Sequence, residues 1–138
     1  MKGTFYIDSN VFLYPVLYNE LEESKKARNI LSQIEEKNIQ AYTSILTWDE
    51  VSYVVERTLG KTDSIEVGKK LINFPFLRFI TVDDEIIRRS QVIREKYNLN
   101  PRDSIHLSCA IERNISEIIT DDSDFDNIKE IKRIPLNR

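Results

Sequence analysis

The chain holds a single cysteine, Cys109, in 138 residues. That excludes an internal disulfide and a thiolate metal cluster. It holds a single histidine, His106, three residues earlier. A zinc site needs more nitrogen and sulfur ligands than these two, and both read as packing residues on a helix face. Three glycines leave no phosphate-cradling loop and no dinucleotide fingerprint. No nucleophile-elbow motif supports a Ser-His-Asp arrangement. No apolar run approaches the ~20 residues of a membrane span, and the N-terminus has neither the basic head nor the cleavage site of a signal peptide. The expected location is cytoplasmic. Excess positive charge is missing too. The net charge is −3, which argues against indiscriminate binding of nucleic acid. Basic residues such as Lys25, Arg57, Lys69 and Arg94 remain to meet phosphates, although each alone reads first as solvated helix surface.

What is present is an alternation of short apolar runs and helix-spaced segments. The apolar fraction of 41% and charged fraction of 31% fit one globular domain over residues 1–138. Residues 4–8 read as a strand and 10–18 as a short helix, with Pro15 tolerable only near its first turn or as a kink. From Glu22 to Lys37, Ala27, Ile30, Leu31 and Ile34 fall at helical spacing. Gln40 to Thr43 is a second strand. Ser44 or Thr47 opens a helix to about Leu59, with Gly60 as its stop. Thr62 or Asp63 caps a helix through about Asn73. Phe76 to Val82 is a third strand, and Asp83 or Asp84 caps a helix to about Tyr97. Asn100-Pro101 starts the next helix, through Arg113. Glu117 to Thr120 is a fourth strand, 121–127 a polar turn, and 131–134 a short last strand. Strands alternating with helices in this way predict an α/β/α sandwich with a mainly parallel central sheet.

The candidate chemistry lies in acids at strand and helix ends. Asp8 closes the first strand, where ligands bind in open α/β sheets. It is equally placed to cap the next helix, although Ser9 and Asn10 could do that as well. A buried carboxylate there needs a cation or a metal ion as partner. Glu50 has two readings. In Thr47-Trp48-Asp49-Glu50 it closes a capping box. If Ser44 is the cap, it lies a turn further in and shares a face with Leu46, Tyr53 and Val54. Asp103 sits in a first helical turn, where the helix dipole favours an acid by only ~0.3–1 kcal/mol, yet His106, Leu107 and Ala110 share its face. The densest signal is Thr120-Asp121-Asp122-Ser123-Asp124-Phe125-Asp126, whose four acids repel one another unless a cation neutralises them. A calcium loop starting at Asp122 fails, because Asn127 and Arg133 stand where glycine and glutamate are needed. A solvated acidic turn is the plain alternative. An all-oxygen cluster selects hard cations, Mg²⁺ or Mn²⁺, and such clusters serve in-line attack of water on a phosphodiester.

Ile7-Asp8-Ser9-Asn10, Glu50, Pro101-Arg102-Asp103-Ser104-Ile105-His106 and Thr120-Asp121-Asp122-Ser123-Asp124-Phe125 together resemble the PIN-domain ribonucleases, and among them the VapC-type toxins of toxin–antitoxin pairs. The resemblance runs over essentially the whole chain. It implies a PIN-like fold and a Mg²⁺- or Mn²⁺-dependent endoribonuclease. It implies that Asp8, Glu50, Asp103 and Asp122 are the acidic quartet that binds metal and carries catalysis, with Asp124 as an additional acid. It implies that Asn10 and Thr120 support the pocket. Asp121 and Asp126 have no assigned role in the pattern, and Ser9 stands where threonine is usual. It further implies an RNA substrate, a homodimer and a cognate antitoxin. Two other functions stand beside it. A non-catalytic Mg²⁺-binding interaction domain would keep the acids and lack the cleavage. A haloacid-dehalogenase-type phosphatase would need an aspartate where this chain has Asn10.

Overall fold

The computed structural model describes residues 1–136. Its elements are β1 (Thr4–Ile7), α1 (Ser9–Leu17), α2 (Glu22–Glu35), β2 (Gln40–Ser44), α3 (Ile45–Leu59), α4 (Lys61–Ile72), β3 (Leu77–Ile80), α5 (Asp84–Lys96), α6 (Pro101–Glu112), β4 (Glu117–Ile119), a single 3₁₀ turn over Ser123–Phe125, and β5 (Lys132–Ile134). The strands form one sheet in the order β3-β2-β1-β4-β5. Every pairing in it is parallel. The expected sandwich is present, and its sheet is parallel throughout.

Side chains alternate across each strand, and the alternation divides the core. Phe5 and Ile7 of β1 and Ile119 of β4 point to one face, where they meet Val11, Ile30, Ile34, Val51 and Leu71 from α1 to α4. Tyr6 and Ile118 point to the other, where they meet Ile86 and Ile93 of α5 and Leu107 of α6. Burial of each of these larger side chains stabilises the fold by roughly 1.5–3 kcal/mol.

The order of strands fixes where a ligand can enter. From β1 the chain works outward through β2 to β3, then returns to the other side of β1 for β4 and β5. Strand order therefore reverses between β1 and β4, and a crevice opens there beyond their carboxyl ends. Asp8 follows β1 and Asp122 follows β4, so the topology brings both to that crevice.

Local structure departs from the sequence expectations at four places. Pro15 lies in the second turn of α1, and the helix ends two residues later at Leu17. The helix accommodates the missing N–H and keeps nine residues. The capping box at Thr47 does not form, because Ser44 is the N-cap residue of α3. Thr47 is instead buried a turn inside, its hydroxyl 2.6 Å from that of Thr43. Neither Thr62 nor Asp63 caps α4, since Gly60 alone joins it to α3 with φ 98° and ψ 172°. That backbone conformation belongs to glycine. The polar turn after β4 is ordered into the 3₁₀ turn, with the Asp122 side chain accepting from Asp124 N. Among the described residues no helix is long and apolar enough to cross a membrane.

Candidate metal centre

Asp8 is held from four directions. Its Oδ1 accepts from Ser9 N at 2.7 Å and from the Ser9 hydroxyl at 3.4 Å. Its Oδ2 accepts from the Thr120 hydroxyl at 2.7 Å and from Asn10 Nδ2 at 3.4 Å. It therefore does cap α1, yet it is only 5% exposed and its acceptor capacity exceeds what a cap uses. Thr120 is the centre of this support. Its hydroxyl also accepts from Asn10 Nδ2 at 3.1 Å and from Asp122 N at 3.0 Å.

Asp103 comes from the first turn of α6. The Asn100 side chain caps that helix by accepting from Asp103 N at 2.8 Å, and its Nδ2 donates to Asp103 Oδ2 at 3.0 Å. The carboxyl is buried at 7% exposure. Burial pushes its pKa up to about 8, and the hydrogen bonding and charge of Asp122 and the charge of Asp8 push the same way. His106 opposes them. Burial and like charge thus act together on this carboxyl, a combination that a bound cation would offset.

Glu50 lies on α3, six residues into the helix, and points at α6. Its Oε1 stands 2.6 Å from Nε2 of His106. On the other side of the imidazole, Nδ1 stands 2.5 Å from the hydroxyl of Tyr6. Both Tyr6 and His106 are fully buried. Burial drives the His106 imidazolium down, and the Glu50 hydrogen bond together with the charges of Asp8, Glu50 and Asp103 more than reverses it, so the net shift is upward. Burial keeps Tyr6 well above the ordinary phenol range, so it stays a neutral hydroxyl.

His106 is thus more than the helix-face packing residue that its spacing suggested. The signal that could have found it is position, because it stands one turn after Asp103 on the same face. Cys109, one turn further on, is buried packing as expected, with its thiol pushed up to about 12 chiefly by burial.

The potential ligands fall into two groups. Asp8, Glu50 and His106 offer atoms within 4.8 Å of one another, and so do Asp103, Asp122 and Asp124. Trans ligands on an ion with bonds of about 2.1 Å lie about 4.2 Å apart, so small side-chain adjustments would let either group close on a cation. The donors are almost all carboxylate oxygens, which suits a hard divalent ion. Burial falls from Asp103 through Asp122 to Asp124, which is exposed. The site therefore opens toward solvent on the Asp124 side. An open cleft lined by Glu50, Asn100, Arg102 and Asp103 leads to it from the other side. Arg102, within the quoted motif but without a role assigned there, lines the cleft beside Asp103 and puts a positive charge at its rim.

The two acids without an assigned role have structural partners. Asp121 accepts from the Tyr14 hydroxyl at 3.1 Å and from Leu136 N at 3.2 Å, tying α1 to the segment after β5. Asp126 takes a two-pronged contact from Arg133, at 2.6 and 3.1 Å.

The fold is thus a parallel α/β/α sandwich with acids gathered at its switch point. The family model of the PIN domain matches residues 5–131, and the chain belongs to that family. Its structure is similar to VapBC2 of Rickettsia felis bound to a promoter DNA fragment, with 17% identity, 98% of each chain covered and a TM-score of 0.72. It is similar to the sarcin–ricin loop cleaving toxin VapC20 of Mycobacterium tuberculosis, with 12% identity, 92% of this chain and 96% of that one covered and a TM-score of 0.74. VapBC-1 of nontypeable Haemophilus influenzae is similar over 100% of both chains, at 16% identity and a TM-score of 0.69. At these identities the likeness is one of fold. No curated protein matches the chain.

Proposed function

We propose that this chain is a Mg²⁺- or Mn²⁺-dependent endoribonuclease and the toxin of a VapBC-type toxin–antitoxin pair, acting as a single PIN domain over residues 1–138. The observation that carries this is the convergence of acids from separate parts of the chain at one end of the sheet, Asp8 with Glu50 and Asp103 with Asp122 and Asp124. Such a cluster is unfavourable alone and favourable around a cation. Membership of the PIN domain family supports nuclease chemistry, and the Mycobacterium relative that cleaves the sarcin–ricin loop supports RNA as the substrate. The relatives solved as VapBC complexes support an antitoxin partner, and the resemblance adds a homodimer.

In this reading Asp8, Glu50, Asp103, Asp122 and Asp124 are the residues that would hold a divalent ion. A bound divalent ion would supply an activated water and counter-charge for the phosphate oxygens. Asp8 is the fixed point, because Ser9, Thr120 and Asn10 restrain both of its oxygens. Asp103 is fixed by Asn100. Asp122 and Asp124, nearer solvent, would complete the set from the open side. Arg102, at the rim of the cleft, meets the phosphate backbone and orients the scissile bond.

The test is cleavage of a mixed set of short RNAs by purified protein with Mn²⁺, Mg²⁺ or EDTA, beside Asp8→Asn. Cutting that needs metal and vanishes in the variant is expected. Metal binding without any cutting, and without toxicity on expression, would favour an interaction domain instead.

A further inference from the structure

No backbone or hydroxyl donor restrains the Glu50 carboxylate. Its hydrogen-bond partner is His106. Restraint of a ligand costs less at binding when the protein has already fixed it, so whatever holds Glu50 contributes to cation affinity. The imidazole ring is placed for this. It is fully buried, its Nε2 faces Glu50 at 2.6 Å, and its Nδ1 faces the Tyr6 hydroxyl at 2.5 Å. The Tyr6 ring stands edge-on to the imidazole with centroids 5.5 Å apart. Three elements are thereby joined in a line: Tyr6 on β1, His106 on α6 and Glu50 on α3.

The hydrogen positions follow from the partners. A carboxylate only accepts, so the 2.6 Å contact between Glu50 Oε1 and Nε2 places a proton on Nε2. The Tyr6 hydroxyl meets Nδ1 on the opposite side of the ring. Donation from Tyr6 to Nδ1 satisfies both groups and leaves the ring proton on Nε2, pointing at Glu50. In that tautomer Nε2 has no lone pair for an ion, although it lies within ligand range of Asp8 and Glu50.

We infer that His106, braced by Tyr6, is a positioning residue that holds Glu50 in the cation pocket by donating a hydrogen bond from Nε2, and is not itself a ligand. This rests on the proposed metal-dependent site. It concerns residues that do not meet RNA, since Tyr6 and His106 have no exposed surface.

The experiment is calorimetric titration of Mn²⁺ into the full chain and into His106→Ala, His106→Gln, Tyr6→Phe, Glu50→Gln and the double variant His106→Ala/Glu50→Gln. Electron spin-echo spectra of the bound Mn²⁺ accompany it. His106→Ala should weaken Mn²⁺ binding by roughly 10- to 100-fold. His106→Gln, which keeps a donor toward Glu50, should recover most of that loss. Tyr6→Phe should weaken binding a few-fold without touching the pocket surface. The double variant should bind no more weakly than Glu50→Gln alone, because the two residues act through one contact. The spectra should lack coupling to an imidazole nitrogen.

Wild-type affinity in both His106→Ala and Tyr6→Phe would overturn the inference, as would additive losses in the double variant or a coordinated-imidazole signal. Tyr6→Phe and His106→Gln keep it testable if the alanine variant fails to fold. Wild-type protein that binds Mn²⁺ but cuts no RNA removes the nuclease proposal and leaves this inference standing on the titrations. Wild-type protein that binds no Mn²⁺ overturns both.

Discussion

The Thr120 hydroxyl donates to Oδ2 of Asp8 over 2.7 Å, linking residues 112 positions apart in the chain. Thr120 Oγ1 also accepts from Asn10 Nδ2 and from Asp122 N. One buried hydroxyl thus aligns the ends of β1 and β4. Thr120→Val keeps the shape and removes all three bonds, leaving the Asp122 N–H and one Asp8 oxygen short of partners. A loss of about 1–3 kcal/mol is expected, read by urea denaturation, together with a fall in RNA cleavage. Thr120→Ser should stay close to wild type in both.

Asp103 predicts a dependence on pH. Its folded pKa of about 8 lies above its ordinary value of 3.8. The folded state therefore holds that proton more tightly than the unfolded state. The associated stability is complete below about pH 4 and is lost as pH rises through about 8. In EDTA the melting temperature should fall across that window, and Asp103→Asn should flatten the fall. A divalent ion competes with the proton, so Mg²⁺ should raise the melting temperature more at about pH 8 than at about pH 6. Thermal melts across that range, with and without Mg²⁺, check both.

The neighbouring acids should separate by role. Asp124→Asn should lower cleavage, because Asp124 lies with Asp103 and Asp122. Asp126→Asn should leave cleavage near wild type, because Asp126 is occupied by Arg133, whose two-pronged contact holds its carboxyl below the ordinary range. Equal loss in the two variants, measured on one RNA, would contradict the assignment.

Gly60 tests the joint between α3 and α4. A Cβ there would meet nothing within 4 Å, so crowding is not the issue. Its φ of 98° is the constraint. Gly60→Ala should destabilise by roughly 1–3 kcal/mol through backbone strain alone, read by thermal or urea melts, with the metal affinity unchanged.

The sequence showed the sandwich clearly, because short apolar strands and amphipathic helices alternate without interruption. Asp8 and the acids after β4 were also legible, since strand ends in such folds face one crevice. Glu50 was not. Its local spacing fits a capping box as well as a pocket, and only the choice of Ser44 over Thr47 as the cap separates them. Both residues are good caps by composition, and spacing alone does not rank them. His106 was misjudged for a related reason. A lone histidine on an apolar helix face usually packs, and nothing in the local sequence reveals that Tyr6, a hundred residues away, meets it. The α4 start was misplaced because Thr62 and Asp63 are good caps by composition, whereas the chain turns at a glycine.

The most direct test of the cation pocket is diffraction from crystals soaked in Mn²⁺, recorded at the manganese absorption edge. An anomalous peak within bonding distance of carboxylate oxygens from Asp8 and Asp103, with Glu50, Asp122 and Asp124 around it, is the expected result. Ordered, intact acids with no peak among them at millimolar Mn²⁺ would contradict the account.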